Sequence, residues 1–489
     1  MNRKNAFLFL LQCSLFSSLS AQNLFTIEDV IHRAQTQSPV FKQIETRRET
    51  RYWQYRFYRS NYNPQVRLRS NNLGAFYNNS ASRIPQNDGS IQYLLVNNIN
   101  PGVNFALEQP IQMTGGTLSV NSNYNYYKDL NNVFPTQWNA APLNIALTQP
   151  LFAYNPLKWD KMIEPIQFEE SKRDYAEGME QISRDAVINF FGVMVAQVNL
   201  QIAKFNLANN DTIYKIEQGR YNIGTTSEDK LLQVELQLLR SRQDVAQANL
   251  DLQTTSLQLR TYIGLRNGES FELILPDTIP RFEVPEDEAL EHAKQTRAAY
   301  IAFDRRKAQA KDAVAQVKGN LYRVSVTAAY GVNKVSSNFN DLYVSPTKQQ
   351  MANITFDIPI VDWGRRRAAM QTAYATQRLT DYLIAQDEVN FEQDILTKVR
   401  TFKMLYLQLE ITKKADEVAL KRYNVAQNRY LIGKIDITNL NIALTEKDAA
   451  KRSYITALRS FWTAYFDLRQ ATLYDFAGRK FLYNPNNKD

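Results

Sequence analysis

The pentapeptide RYNIG, Arg220–Gly224, returns 209 residues later as RYLIG, Arg429–Gly433. Each copy sits where one long helical pattern ends and another begins. Glycine adopts a left-handed backbone at least cost, so each copy reads as the turn of a helical hairpin. Capping accounts for the glycines but not for the repeated arginine and tyrosine. The same shift of 209 carries IALTQPLF, Ile145–Phe152, onto ITFDIPIV, Ile354–Val361, and Leu231, Leu259 and Arg260 onto Leu440, Leu468 and Arg469. One shift held over so long a stretch indicates an internal duplication. The start of each half matches at a different shift: IEDVIHRAQTQ from Ile27 resembles EDEALEHAKQT from Glu286, 259 residues on. The first half therefore carries 50 additional residues, the difference of the two shifts, between its first helix and Pro150.

Composition agrees with a helical rod. The 489 residues include only 16 Gly and 16 Pro, and 44% are hydrophobic, which suits long amphipathic helices better than a loop-rich fold. Tyrosine outnumbers tryptophan, 27 to 5, as fits surfaces half wet and half apolar. Residues 1–21 have a basic start (Arg3, Lys4), an apolar run and a small-residue end at Ala21, the pattern of an export signal peptide. Cys13, the one cysteine, lies inside it, and Gln12 before it argues against acylation. Without Arg3 and Lys4 the formal charge falls from +9 to +7, a balance that favours anionic lipid over nucleic acid as a partner. No later run of about 18 apolar residues is evident.

Leu231, Val234, Leu238, Ser241, Val245, Ala248, Leu252, Thr255, Leu259 and Tyr262 step by threes and fours, a heptad seam. Its counterpart from Leu440 to Leu468 contains Lys447 and Lys451, read as a solvated flank. A long helix from Leu157 to Gly219, a return helix Ser227–Ile263 and a third helix Val284–Gly319 follow, with 264–285 as a Gly- and Pro-rich break. Each half is expected to pack one long rod against two shorter ones stacked end to end.

At the far end of each rod the pattern changes to alternation. Thr117–Tyr126, Leu143–Thr148, Tyr322–Ala328 and Ile354–Ile360 alternate an apolar face with a small polar one, and Val66–Leu68 and Val103–Leu107 add two shorter candidates. Such strands in an exported chain point to a membrane barrel, although a soluble sandwich gives the same pattern. Four to six strands are too few to close, so several copies share one barrel. The pair joined by MTGG, Met113–Gly116, is read as accounting for the 50 additional residues; whether it enters the wall is left open, giving 12 or 18 strands for three copies.

The arrangement of helix, strands, long helix, Tyr-x-x-Gly turn and return helix, made twice, resembles the TolC family of outer-membrane efflux and secretion ducts. The resemblance runs from about Thr26 to Tyr474 and is carried by QPLF at Gln149–Phe152, IPIVDWG at Ile358–Gly364 and the two RYxIG turns. It implies a mainly α fold with membrane β: a homotrimer whose shared outer-membrane β-barrel continues as a helical periplasmic tunnel. The implied partners are a periplasmic adaptor and, through it, an inner-membrane pump; the implied location is the outer membrane of a Gram-negative bacterium. The implied docking tips are Tyr221, Ile223, Gly224 and Thr225, and Tyr430, Ile432, Gly433 and Lys434. Tyr430, with Arg429 beside it, is the implied gate. Family members often carry Asp six residues after the tip Gly, where this chain has Lys230 and Asn439, with Asp229 and Asp436 nearby.

The expected organisation is therefore a signal peptide 1–21, a first repeat 22–283 with strands within 64–150 and its tip at 219–226, a second repeat 284–478 with strands within 321–361 and its tip at 429–435, and a tail 479–489. No metal or cofactor constellation is evident: His32 and His292 lie in different helices and read as solvated, and Glu169 and Glu170 read as solvated charge. Gly219-x4-Gly224 lacks the lysine of a phosphate loop. Two rival classes remain beside the passive duct, a periplasmic coiled-coil adaptor or binding module and an enzyme displayed on a barrel. The exported substrate is not encoded in a recognisable way.

Overall fold

A computed structural model describes residues 23–484 except 72, 77–80, 87, 96, 132–133, 266–270 and 277. The signal-peptide assignment and Cys13 lie outside the described residues. Eight helices appear among the described residues: α1 (Ile27–Gln37), α2 (Pro39–Ser60), α3 (Pro156–Asn222), α4 (Glu228–Ile263), α5 (Glu286–Thr296), α6 (Ala298–Gly319), α7 (Arg365–Leu431) and α8 (Ile437–Thr472). The last four repeat the boundaries of the first four residue for residue. α5 and α6 lie 259 residues after α1 and α2, while α7 and α8 lie 209 after α3 and α4.

The single third helix expected over Val284–Gly319 is divided at Arg297, which is extended with ψ 137. Its counterpart Ser38 is likewise extended, as the residue before Pro39 must be. No proline follows Arg297, so the break was not legible locally; instead Glu177 on α3 accepts the Ala298 amide at 2.7 Å and faces the Arg297 guanidinium at 3.3 Å. α3 runs through Pro165 without interruption.

The chain divides into two compact units. The first holds the chain up to Glu49, Ser171–Tyr300 and Glu388 onward. Its core joins α3, α4, α7 and α8, with Phe190, Phe191, Leu259, Val399, Leu458 and Phe461 all 0% exposed. One 18-residue window of α3 is apolar enough by length and composition to cross a membrane, although it is not an unbroken apolar run. Half of it is buried, and Phe190, Phe191 and Met194 on α3 are core residues. The heptad seams hold: Val234, Leu238, Ser241 and Leu259 on α4, and Leu440, Leu458 and Leu468 on α8, are buried.

Several polar and charged residues are less solvated than their sequence context suggests. Lys447 has a side chain only 12% exposed, its ammonium 4.2 Å from the Phe205 ring, 4.6 Å from that of Tyr423 and 3.2 Å from Asp448. The rings and the carboxylate replace water around the charge. Arg469 pairs with buried Glu180 at 2.9 Å, and His292 stacks on Tyr474 at 4.2 Å. The break between α4 and α5 contains a short strand, Phe271–Leu273, that pairs in parallel with Asn23–Phe25. Residues beyond 478 include Lys480–Phe481, paired with Tyr474–Asp475.

The second unit, Thr50–Glu170 and Ile301–Asp387, holds a sheet of six long strands: β1 (Gln65–Asn71), β2 (Gly102–Ile111), β3 (Gly116–Asp129), β4 (Gln137–Leu151), β5 (Arg323–Ser336) and β6 (Thr347–Asp357). They pair in chain order, each antiparallel to the next, so both halves of the duplication contribute to one sheet. Register aligns Val66, Leu107, Val120, Ile145 and Tyr330 in one row. These side chains are on one face, and Val66, Leu107, Ile145 and Tyr330 stand exposed. The opposite face carries Ser119, Asn121, Asn144, Thr148, Thr327 and their neighbours. A sheet with a solvent-exposed apolar face and a polar reverse is that of a membrane barrel wall rather than of a packed sandwich. Glu170, in this unit, is not solvated charge but a bidentate partner of Arg305, at 2.5 and 3.0 Å.

Replacing Phe461, which is 0% exposed at the meeting of α7 and α8, by alanine is expected to lower unfolding free energy by about 3–5 kcal/mol, read by denaturant unfolding of the detergent-extracted protein.

Candidate functional site

The two RYxIG segments close α3 and α7 with the same turn. Gly224 has φ +73 and Gly433 has φ +74, the left-handed region where a side chain would strain the backbone. The Gly224 amide donates to the Tyr221 carbonyl and the Thr225 amide to the Arg220 carbonyl, both at 2.9 Å. In the second copy the Gly433 amide donates to the Tyr430 carbonyl and the Lys434 amide to that of Arg429, again at 2.9 Å. This pair of bonds satisfies the last carbonyls of each helix and turns the chain back at once. Ile223 and Ile432 are consequently held outward at each tip, 75% and 66% exposed.

The two tyrosines of the motif have different surroundings. Tyr221 is 41% exposed, whereas Tyr430 is 3% exposed within a cluster that includes Ile213, Val234, Ile437 and Leu440. Its hydroxyl donates to the Glu217 carboxylate at 2.7 Å. The Arg220 guanidinium donates to the same Glu217 oxygen at 2.7 Å and lies 5.5 Å from the centre of the Tyr430 ring. One residue of the second tip is therefore tied to two of the first. Burial works to raise the Glu217 carboxyl, but hydrogen bonds from Tyr430, Arg220 and Thr226 outweigh it and hold it below the usual carboxylate range. Burial, followed by the bond to Glu217, pushes the Tyr430 phenol above its ordinary value, so it remains a donor.

Of the other residues anticipated near the aperture, Lys230 and Asp436 face each other at 3.8 Å, each about half exposed, a weak pair in water. Asp436 also caps α8 by accepting the Ile437 amide at 2.8 Å. Arg429, Asp229 and Asn439 are exposed, as are Thr225 and Lys434. Reading the sequence missed Glu217. Its signal was a departure from the repeat, because the shift of 209 places Ala426 opposite it. Among the described residues no cluster of three or more His, Cys, Asp or Glu is placed to hold a metal ion.

The sequence pattern described as "Outer membrane efflux protein" matches residues 114–265 and 286–472, the greater part of both repeats. A search of curated proteins gives no match. Among solved structures, the fold is similar to the Campylobacter jejuni CmeC outer membrane channel, with TM-score 0.64 and 15% identity over 94% of this chain and 87% of that one. It is also similar to the outer membrane protein VceC of Vibrio cholerae, with TM-score 0.64 and 13% identity over 91% and 95%. A third likeness is to the open state of the Neisseria gonorrhoeae MtrE outer membrane channel, with TM-score 0.60 and 15% identity over 94% and 91%. With a sheet built as a barrel wall and twin helical hairpins closed by matching turns, this chain belongs to the outer membrane efflux protein family, whose members are channels, not enzymes, working as trimers with an adaptor and an inner-membrane pump.

Proposed function

We propose that three copies of this chain form the exit duct of a tripartite export system, and that its two tips have separate tasks. Each repeat, 22–283 and 284–478, supplies one hairpin. The exposed apolar ends at Ile223 and Ile432, with Tyr221, Gly224, Thr225, Gly433 and Lys434 around them, dock the periplasmic adaptor; the buried link from Tyr430 to Glu217 and Arg220 keeps the mouth closed. The observation that carries this division is the different fate of one motif: the same five-residue turn leaves one tyrosine in water and ties the other to the neighbouring hairpin. Opening requires Tyr430 to leave Glu217, exposing a carboxylate already held by Arg220. Arg429, Asp229, Lys230, Asp436 and Asn439 are proposed to shape the charge of the aperture, and the Lys230–Asp436 pair favours a ring that is not uniformly acidic. The coiled-coil adaptor alternative accounts for the hairpins but gives the two-faced sheet no role.

Three measurements test this reading. The mature protein extracted in detergent from washed outer membranes is expected to have the mass of a trimer, and a monomer or a soluble periplasmic protein would sink it. Ile223→Asp combined with Ile432→Asp, both at exposed positions, is expected to leave trimers intact while adaptor capture falls at least about tenfold, the loss of roughly 1.4 kcal/mol or more. Unchanged capture would exclude docking at the tips. Tyr430→Phe removes one charge-assisted bond from a buried carboxylate and is expected to raise channel open probability and weaken the link by about 1.5–3 kcal/mol. Because Glu217 has a depressed folded-state pKa, the stability of its link is present above the ordinary carboxylate pKa and is lost as pH falls through the depressed one. Open probability should therefore rise on acidification, and Glu217→Gln should flatten that response; planar-bilayer recording reads both.

A further inference from the structure

The 50 additional residues of the first half need a place. The second half sends one strand pair, β5 and β6, into the sheet; the first half sends two, β1 with β2 and β3 with β4, and since the shift of 209 lays β3 and β4 on β5 and β6, the added pair is β1 with β2 and not, as the sequence suggested, the two strands that flank MTGG. Were β1 and β2 an appendage outside the wall, β3 would be the strand offered to the next copy. That edge is already taken. Ten consecutive residues of β3, Gly116 to Asn125, are paired with β2 from Ile111 back to Gly102, and β2 is in turn paired with β1 from Gln65↔Glu108 to Asn71↔Gly102. The turn between β2 and β3 is also anchored at the level where α3 begins: Asn155 donates to the Gln112 carbonyl at 2.9 Å and Gln149 to that of Thr114 at 3.0 Å. The two-faced pattern continues through the added pair, with Val66, Leu68, Phe105 and Leu107 exposed on the apolar side.

We infer that β1 and β2 are part of the barrel wall, so that the free edges of each copy are β1 and β6 and three copies, at six strands each, close an 18-stranded barrel. This rests on the trimeric duct proposed above; the occupant of each edge is a second copy of this chain. Lipid provides no hydrogen-bond partners, so an edge left open there costs several kcal/mol for each unpaired group. Strand direction alternates along the six, so β6 of one copy meets β1 of the next antiparallel, continuing the meander without a fault. With strands about 4.8 Å apart and tilted roughly 40°, 18 strands give a wall diameter near ~36 Å against ~24 Å for 12.

The added pair also brings charge. Apart from Arg323 and Asp357, which oppose each other at the base, and Asp129 at the far end of β3, the charged residues on the polar face of the six described strands are Arg67, Arg69 and Glu108. Arg69 lies 2.7 Å and Arg67 3.5 Å from Glu108, all on β1 and β2. Two guanidiniums to one carboxylate in each copy leave a positive belt at the level of Arg67 and Arg69, favouring anions and anionic amphiphiles in transit.

The test uses cysteine pairs in the intact trimer, since the described residues contain none. Ile354→Cys or Phe356→Cys on β6 is combined with Val66→Cys or Leu68→Cys on β1, or with Leu118→Cys or Val120→Cys on β3, and oxidised in outer membranes. Covalent trimers from a β1 combination, and none from β3, are expected. Links through β3, or intact trimers with no link from any β1 combination, would overturn the 18-stranded wall while leaving the duct standing; a monomeric protein would instead remove the duct on which the inference rests. In bilayers, Arg67→Gln with Arg69→Gln is expected to lower the chloride-to-potassium permeability ratio at least about twofold. An unchanged ratio would place these residues outside the lumen.

Discussion

Hydrogen-bond closure in lipid is the constraint from which the rest of this protein follows. A β-strand in the hydrocarbon region has to pair on both edges, and a chain that supplies only a segment of wall is incomplete alone. Here the segment is a sheet whose six long strands run antiparallel, with exposed apolar residues on one face and Ser, Thr and Asn on the other. That distribution would be unstable in water as a monomer, because exposed rows such as Val66, Leu107, Ile145 and Tyr330 form a large apolar patch. Oligomerisation is thus built into the covalent sequence through the face pattern and the unclosed edges, before any helix is considered.

The helical unit solves a different problem. In the duct proposed above, its hairpins are rigid along their length and separable at their tips. Rigidity comes from the aromatic and aliphatic core around Phe190, Phe191 and Phe461 and from charged pairs such as Arg469 with Glu180, whose burial is tolerable because each charge has its partner. Near the tips the core thins to a small cluster around Tyr423 and Tyr430, and a polar contact replaces hydrocarbon. A hydrogen bond between a phenol and a carboxylate can be exchanged for water at modest net cost, whereas a packed phenylalanine core cannot be opened so cheaply. The placement of Glu217 against Tyr430 therefore supports the proposal that this contact parts on opening.

Duplication explains the economy of this arrangement and also its asymmetry. The two halves share helix boundaries to the residue and share the bond pattern of the tip turn. They differ in Glu217 against Ala426, in Tyr221 exposed against Tyr430 buried, and in a strand pair added on one side only.

What the sequence determined by itself was local. The shifts of 209 and 259 set matching segments of the two halves opposite each other, the glycines of RYNIG and RYLIG located the turns, and period-two alternation marked strand faces, because backbone conformation and face are set by near neighbours. What only the tertiary structure decided was choice of partner. Arg297 ends a helix because Glu177 from another helix takes the freed amide; Lys447 is enclosed because Phe205, Tyr423 and Asp448 converge on it; Tyr430 differs from Tyr221 because Glu217 lies across from it; and β2 occupies the edge of β3. None of these is written in the residues adjacent to the one affected, since each depends on segments distant in the chain being brought together by packing, which local propensity does not specify.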